Sequence, residues 1–405
     1  LLKPGSNRGA SAAGARCTYV VWKPLNGLGN RMLSMASAFL YALLSGRVLL
    51  VDRSTDMAGI FCEPFPGSTW LLPRDSPLRN LPVSQNYPLS FGNLLKANKI
   101  STANPPGFVY AHLSKGYDVF DMRFYCEDDQ LLLKNMPWMA LRSDQYFAPA
   151  LFINSAFERQ LDRMFPEKEA VFHILGRYLF HPSDQVWGLI TNYYKDHLSS
   201  ARHRLGIQIR VFDKNKPFDL ILRQILNCTV SKKLLPEVDH LKHHVIPSTG
   251  GPSKAVLLAS LHREFYDRMR EMYSEHEGKG GEVVSVHQPS HEEEQQTGTV
   301  AHDEKALAEM YLLSLTDELV TSSWSTFGYV AQALGGMTPW VLAGPVIARV
   351  PEPTCYRDLS QEPCFHFPPS YDCKGGGHTD VVKLVPYTRH CKDFRRGVKL
   401  VDVRQ

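Results

Sequence analysis

Three stretches of the sequence combine side-chain type and spacing in ways that could hold a negatively charged ligand. Arg210 follows Gly206-Ile-Gln-Ile209 at the carboxyl end of a strand expected to be buried. A lone guanidinium there is costly unless it is paired. Its partner is either an internal Asp or Glu or an anion bound beyond the strand ends. That is where ligands of open α/β sheets sit, and a forked guanidinium suits a pyrophosphate. Thr321-Ser-Ser-Trp-Ser-Thr-Phe-Gly328 supplies five hydroxyls between a strand and a helix start, with Ser325 or Thr326 in capping position. Hydroxyls and the unpaired N–H groups of a helix start form an anion cradle. Ordinary capping accounts for one such residue easily and for five poorly. Trp324, within the same run, either stacks on a ring or packs into the core. Asn26-Gly-Leu-Gly29-Asn30-Arg31 lies where a strand hands over to a helix, and its glycines let backbone N–H groups approach an anion. It is neither the dinucleotide GxGxxG nor the GxxxxGK[ST] phosphate loop, and a tight turn packing helix on sheet accounts for the spacing equally well.

Other chemistries find less support. There is no HExxH, no CxxC and no clean Asp-x-Asp, and Glu127-Asp128-Asp129 reads either as a cation site or as a solvated turn. Metal ligation is therefore disfavoured, and charge at the site falls to Arg210 and backbone dipoles. Lys and Arg number 45 against 41 Asp and Glu, an excess of +4. That is too small over this length for bulk charge to select nucleic acid or a membrane surface.

The elements that must carry these residues follow from periodicity. Tyr19–Trp22 reads as a buried strand, Arg31–Ser45 as a helix capped by Gly46, and Val48–Val51 as the next strand, together one βαβ unit. A proline-rich, loop-rich stretch runs from Glu63 to Pro106, followed by Tyr110–Leu113 and a helical region from Pro149 to about Leu198. The second half alternates more clearly. Strands at Leu205–Val211, Ala255–Ala259, Glu282–His287, Leu319–Thr321 and Trp340–Leu342 are separated by helices at Phe218–Leu226, Leu261–Tyr273, Asp303–Leu315 and Ser325–Leu334. Such alternation argues a parallel, doubly wound sheet. Residues 231–253 and 274–281 read as polar connections, and His291–Glu294 as a solvated charge run.

A length of 405 residues with 43% hydrophobic content supports two or three domains with real cores. The expected division is a stem remnant at 1–16, an α/β domain at 17–200, a Rossmann-like domain at 201–350 and a cysteine-rich segment at 351–405 that packs back on the cleft or the first domain. The apolar run Met32–Leu44 is too short to cross a bilayer. The Gly/Ala/Ser-rich opening, without an initiating Met, resembles a clipped stem from which an anchor has been removed. Of eight cysteines, four crowd the last fifty or so residues in a segment without helical or strand period, which needs disulfide staples. One sequon, Asn227-Cys228-Thr229, also fits a secretory-pathway protein.

The strings NGLGNRMLSMASAFLYALLSGRVLLVD, FCEPFPGSTWLLP, GIQIRVF, EMYLLSLTDELVTSSWSTFGYVAQALGG and EPCFHFPPSYDCK occur in this order from about Cys17 to the carboxyl end. In sequence and order they resemble the plant xyloglucan fucosyltransferase family. The resemblance implies a GT-B architecture, an α/β fold of two Rossmann-like domains facing across a cleft, in a Golgi type II membrane protein. It implies inverting transfer of L-fucose from GDP-fucose to a galactose 2-hydroxyl on a cell-wall polysaccharide, without a cofactor or metal. By the same resemblance Arg210 meets the β-phosphate, while Ser323, Trp324, Ser325, Thr326 and Phe327 lie at the phosphate-facing helix start. Gly29, Asn30 and Arg31 face the donor from the first domain. Apart from the resemblance, the position of His287-Gln-Pro-Ser290 just past a strand end makes Gln288 and Ser290 candidates for the ribose or guanine.

The implied reaction is a single in-line displacement in which Arg210 stabilises charge growing on the departing phosphate. The acceptor hydroxyl must lose a proton, and a carboxylate is the usual candidate when no histidine is poised. Asp144 in Ser143-Asp-Gln-Tyr-Phe147 is the leading one; a turn or capping role is its plainer reading, and Asp121, Asp128, Asp129 and Asp393 are rivals. Expected partners are GDP-fucose and a galactose-bearing polysaccharide, with no nucleic acid, membrane contact through the removed anchor alone, and room for a homodimer. Transfer to arabinogalactan-protein glycans fits the same donor motifs. A catalytically silent carbohydrate- or GDP-sugar-binding protein is the competing class.

Overall fold

Residues 17–52, 57–81, 84–103, 105–212, 217–243, 252–344 and 346–402 are described by the computed structural model. The expected stem remnant at 1–16 lies outside them. The described residues divide into two compact units. The first takes residues up to 181 together with 363–391 and 395 onward, and the second takes 182–362 and 392–394. The boundary at 181 differs from the expected one at 200. The helix Asp184–Tyr193 buries Val186 and Ile190 and sets Trp187 edge-on to Tyr311, 6.5 Å between centroids, within the second unit. The cysteine-rich tail likewise contributes to both units, most of it to the first.

In the first unit the described strands β1 (Tyr19–Lys23), β2 (Val48–Val51), β3 (Phe108–His112) and β4 (Trp138–Arg142) form one parallel sheet in the order β2-β1-β4-β3. The helix after β1 spans Leu28–Ser45, starting three residues before the periodicity suggested, so Gly29 and Arg31 belong to its first turn. It is buried nearly all round, and Gly46 ends it at φ +66°, a left-handed cap that glycine takes without steric cost. The helical region from Pro149 resolves into separate helices, including Ser155–Met164 and Val171–Leu179. Strand β4 was not anticipated. It is a short apolar run whose two flanking strands hide both its edges.

In the second unit, β5 (His203–Ile209), β7 (Lys254–Ser260), β9 (Val284–His287), β10 (Glu318–Ser322), β11 (Trp340–Leu342) and β12 (Cys355–Arg357) form a sheet in the order β12-β11-β10-β5-β7-β9, antiparallel only between β11 and β12. Its core gathers Leu205, Ile207, Val256, Leu258 and Val320 with Phe265 and Met269 of the helix Arg263–Glu275. Two polar connections hold strands that the sequence did not suggest: β6 (Val238–His243) pairs antiparallel with β8 (His276–Gly278). The strands β13 (Thr388–His390) and β14 (Val398–Leu400) pair in the tail portion of the first unit.

Disulfides staple the tail, as its lack of period required. Cys126–Cys373 and Cys364–Cys391 lie in the first unit and Cys228–Cys355 in the second, while Cys17 and Cys62 are exposed and stand outside these bridges. Among the described residues no helix is long and apolar enough to cross a membrane.

A buried ion pair anchors the proline-rich stretch to the sheet of the first unit. Lys23, at the end of β1 and 4% exposed, donates to Asp52 Oδ2 at 2.6 Å and to the carbonyls of Leu78 and Arg79 at 2.6 and 2.8 Å. All three ammonium protons are used. Lys23→Met should therefore cost about 3–5 kcal/mol, because it breaks a buried ion pair and also removes the donor to the Leu78 and Arg79 carbonyls. Adding Asp52→Asn should restore part of that loss. Denaturant melts of the two variants check this, and a double variant no more stable than the single one would contradict it.

Candidate active site

The second sheet splits its winding between β5 and β10: from β5 the chain proceeds outward to β7 and β9, and from β10 to β11 and β12. Ligands of doubly wound sheets bind beyond the carboxyl ends of strands at such a switch point. Arg210, the residue after β5, donates its backbone N–H to Ser322 Oγ of β10 at 2.9 Å. Its guanidinium lies 4.6 Å from the Phe212 ring centroid and 5.8 Å from that of Trp324, in cation–π range of both. The residue is exposed overall, but crowding around the guanidinium draws its pKa down, with Tyr329 opposing, and an arginine so shifted is still a cation at neutral pH. Salt bridges among the described residues do not include Arg210.

The hydroxyl-rich run follows β10 directly. Ser325 caps the helix Thr326–Gly335, its Oγ accepting from Gly328 N at 3.4 Å. A Cβ on Gly328 would sit 2.6 Å from Thr321 Oγ1, so only glycine lets the helix start settle onto the strand ends. Thr321 Oγ1 donates to Ser322 O at 3.0 Å, and Ser323 Oγ donates to Leu342 O. The hydroxyls of Thr321, Ser322, Ser323 and Ser325 thus all have protein partners. Their number reflects the shaping of the loop, a reason that capping alone did not supply. Trp324 has φ +55°, a left-handed conformation costing a bulky residue roughly 1–2 kcal/mol. Asp393 holds it there by accepting the Trp324 N–H at 3.0 Å and the Tyr329 hydroxyl proton. Phe394 packs 5.3 Å from the Trp324 ring, and Thr326 and Phe327, both half-buried, occupy the first helical turn.

Gln288 and Ser290 are placed apart from this cluster, after β9, at the far edge of the sheet. Gln288 Nε2 donates to Ser260 O at 2.9 Å, whereas its buried Oε1 has no hydrogen-bond partner among the described residues. Ser290 donates its N–H and Oγ–H to Glu309 Oε1 at 3.2 and 2.6 Å. Burial on the helix Val300–Ser314 pushes the Glu309 carboxyl up to about 7, against the two Ser290 bonds. His287 is pulled down to about 4 by burial first, then by His197 and Arg270, and bonds Ser285 Oγ at 2.9 Å. Glu309 was missed in the sequence because an acid between apolar helical positions reads as solvent-facing.

The first sheet repeats the pattern. Its winding splits between β1 and β4, and the loops after these strands meet. Asn26, itself at φ +64°, donates from Nδ2 to Asp144 Oδ2 at 3.1 Å, and Asn30 Nδ2 donates to the Asp144 carbonyl at 2.9 Å. Asp144 Oδ1 also accepts from Lys115 N at 3.1 Å and Gln145 Nε2 at 2.9 Å, which draws in the loop after β3. Gly29 and Arg31 are buried in the adjoining helical turn. Asp144 is therefore a cross-tie for three strand-end loops, with one side of Oδ2 left over. Its rivals have structural tasks or lie exposed. Asp121 is buried in a capping box with Asp118 and pushed up to about 6 by that burial; Asp129 binds Arg123 through two bonds of 2.8 and 2.6 Å; Asp128 is exposed.

Residues 6–374 match the xyloglucan fucosyltransferase family. The chain is 51% identical over 390 residues to a galactoside 2-alpha-L-fucosyltransferase of Pisum sativum, covering 95% of this chain and 69% of that protein. It is 50% identical over 388 residues to the protein of the same name from Arabidopsis thaliana, covering 95% and 70%. Among solved structures it is similar to a mutant of Arabidopsis thaliana FUT1 in complex with GDP, with a TM-score of 0.88 and 48% identity over 96% of this chain and 84% of that one.

The Glu309 carboxyl links stability to pH with a definite sign. Unfolded, it titrates near ~4.3; folded, it titrates at about 7. Its contribution is complete below the lower value and is lost as pH rises through the upper one, because the unfolded chain releases the proton first. The Tm of the wild-type chain minus that of Glu309→Gln should fall as pH rises from 4.5 to 7 and level off above. A flat difference would show that this carboxyl titrates normally.

Proposed function

Because the chain belongs to the xyloglucan fucosyltransferase family, we propose that it is a galactoside 2-alpha-L-fucosyltransferase that moves L-fucose, with inversion, from GDP-fucose to a galactose 2-hydroxyl on xyloglucan side chains. The two parallel-sheet α/β units are those of the GT-B fucosyltransferases. One observation carries the reading: a guanidinium without a salt-bridge partner among the described residues, at the switch point of a doubly wound sheet and beside a capped helix start.

In the proposed reaction the second unit binds the donor. The oxygen on C2 of the galactose attacks the anomeric carbon of fucose, and the bond from that carbon to the diphosphate oxygen breaks. Negative charge then grows on the leaving β-phosphate. Arg210 meets it with two parallel N–H donors, and the N–H groups at the start of the Thr326–Gly335 helix add their dipoles. The Phe212 and Trp324 rings hold the guanidinium in one orientation before the charge develops. Asp144 takes the proton of the acceptor hydroxyl, using the side of Oδ2 that its loop bonds leave open. The disulfides suit an oxidising compartment, which agrees with the Golgi lumen that the family resemblance implies.

Labelled GDP-fucose offered with xyloglucan oligosaccharides, arabinogalactan glycans and simple galactosides tests donor and acceptor together. Transfer to xyloglucan is expected, and saturable GDP binding without transfer to any acceptor would refute the enzymatic reading. Arg210→Lys keeps the charge but loses the fork, and should lower kcat by ~10²–10³-fold, about 2.7–4 kcal/mol of transition-state stabilisation. Retention of most turnover would contradict the role. Asp144→Asn should cost ~10²–10⁴-fold in kcat if this carboxylate accepts the proton. A loss of only a few-fold would leave it a cross-tie and exclude it as the base.

A further inference from the structure

The sequon at Asn227-Cys228-Thr229 takes no part in the transfer chemistry, and its setting is unusual. It lies within the helix Phe218–Ser231 of the second unit, not in a loop. Asn227 falls on an outward stripe in which Asp219, Arg223, Asn227 and Ser231 are all exposed at four-residue spacing. The other two residues of the sequon point inward. Cys228 is fully buried in its disulfide with Cys355, and Thr229 is fully buried with its hydroxyl donating to Leu226 O at 3.1 Å.

We propose that Asn227 carries an N-linked oligosaccharide, attached before the second unit folds. The inference rests on the proposed secretory setting of the enzyme. In the attachment the side-chain amide nitrogen of Asn227 bonds to the anomeric carbon of a lipid-diphosphate-linked oligosaccharide. The bond from that carbon to the diphosphate oxygen breaks, the lipid diphosphate leaves, and the amide gives up one proton. The sequon is read through the asparagine amide together with the hydroxyl two residues on. In the folded unit that hydroxyl is buried and bonded to its own helix, and the middle residue is locked by the disulfide. The order of synthesis provides the opening. Cys355 lies 127 residues after Cys228, so the sequon leaves the ribosome well before its disulfide can close. Once attached, the oligosaccharide projects from the outward stripe, where a bulky polar group displaces no packed side chain.

The test places the chain behind a cleavable secretion signal in insect cells and follows its mass before and after N-glycosidase. One glycosidase-sensitive step is expected in the wild-type chain and none in Asn227→Gln. Cys355→Ser, which leaves the sequon unlocked for longer, should be occupied at least as fully as wild type. In a microsomal assay the reduced, unfolded chain should accept the oligosaccharide and the folded chain should not. A wild-type chain without a glycosidase-sensitive step, lower occupancy in Cys355→Ser, or equal modification of folded and unfolded chains would each overturn the inference. Fucosyl transfer measured on the same samples separates the two readings. Transfer without the oligosaccharide sinks only this inference, and the oligosaccharide without transfer sinks only the proposed activity.

Discussion

The parallel pairing of β5 with β10 is the constraint on which the second unit depends. Their last paired residues are Gln208 and Thr321. Beyond that pair the main-chain ladder stops, and the chain leaves the two strands in opposite directions across the sheet. What continues the contact is a backbone-to-side-chain bond, Arg210 N–H to Ser322 Oγ. It places a guanidinium and a helix start on the same edge, because the helix start is pulled down onto Thr321 and Gln208 where Gly328 has no Cβ. The first unit meets the same constraint between β1 and β4, and uses a carboxylate where the second uses a hydroxyl. The Asp144 carboxylate receives Asn26 from the loop beyond β1 and the Lys115 N–H from the loop beyond β3, and its main-chain carbonyl receives Asn30 from the first helical turn. In both units an interrupted ladder is finished by side chains, which supplies partners to the backbone groups at the strand ends, while Gln208 Oε1 stays buried without a hydrogen-bond partner among the described residues.

Legibility in the sequence followed the strength of the local signal. Runs such as Leu205–Ile209, Ala255–Ala259 and Leu319–Thr321 are buried on both faces in a parallel sheet, so they read as continuous apolar strands. β6 and β8 are polar and irregularly paired, and their pairing is a contact between distant residues that no local period encodes. The helix Asp184–Tyr193 was legible as a helix, but its membership in the second unit was not. Periodicity shows which face is apolar, not what covers it. Here the cover is the helix Val300–Ser314, with Gln185 donating to Glu304 at 3.0 Å across the contact.

The site was legible to the extent that its residues violate local rules. Arg210 stood out because a cation ends an apolar strand, and the five hydroxyls because their number exceeds what a cap needs. The reason for the surplus was not readable. Ser322 completes the strand pairing and Ser323 reaches the end of β11, and both tasks depend on which strands are neighbours. Glu309 was hidden for the opposite reason. It obeys the charge pattern of an exposed helix residue, and only the Ser290 loop folded over it makes it a buried acid.

Trp324 shows why such a violation persists. Glycine at this position would relieve the left-handed backbone, whose cost is about 1–2 kcal/mol, yet it would remove the ring that flanks the Arg210 guanidinium. The strain is tolerated because it is over-determined. Asp393 accepts a hydrogen bond from the Trp324 N–H, the Tyr329 hydroxyl donates to Asp393 in turn, and Phe394 backs the indole. These restraints come from a three-residue excursion of the tail, 392–394, into the second unit, secured by Lys392 bonding Arg357 O at 2.7 Å. The stapled tail therefore does more than close the chain. By holding an unfavourable backbone in place, it keeps an aromatic face against a cation that would otherwise sample many rotamers, and a pre-oriented cation loses less entropy when it grips an anion.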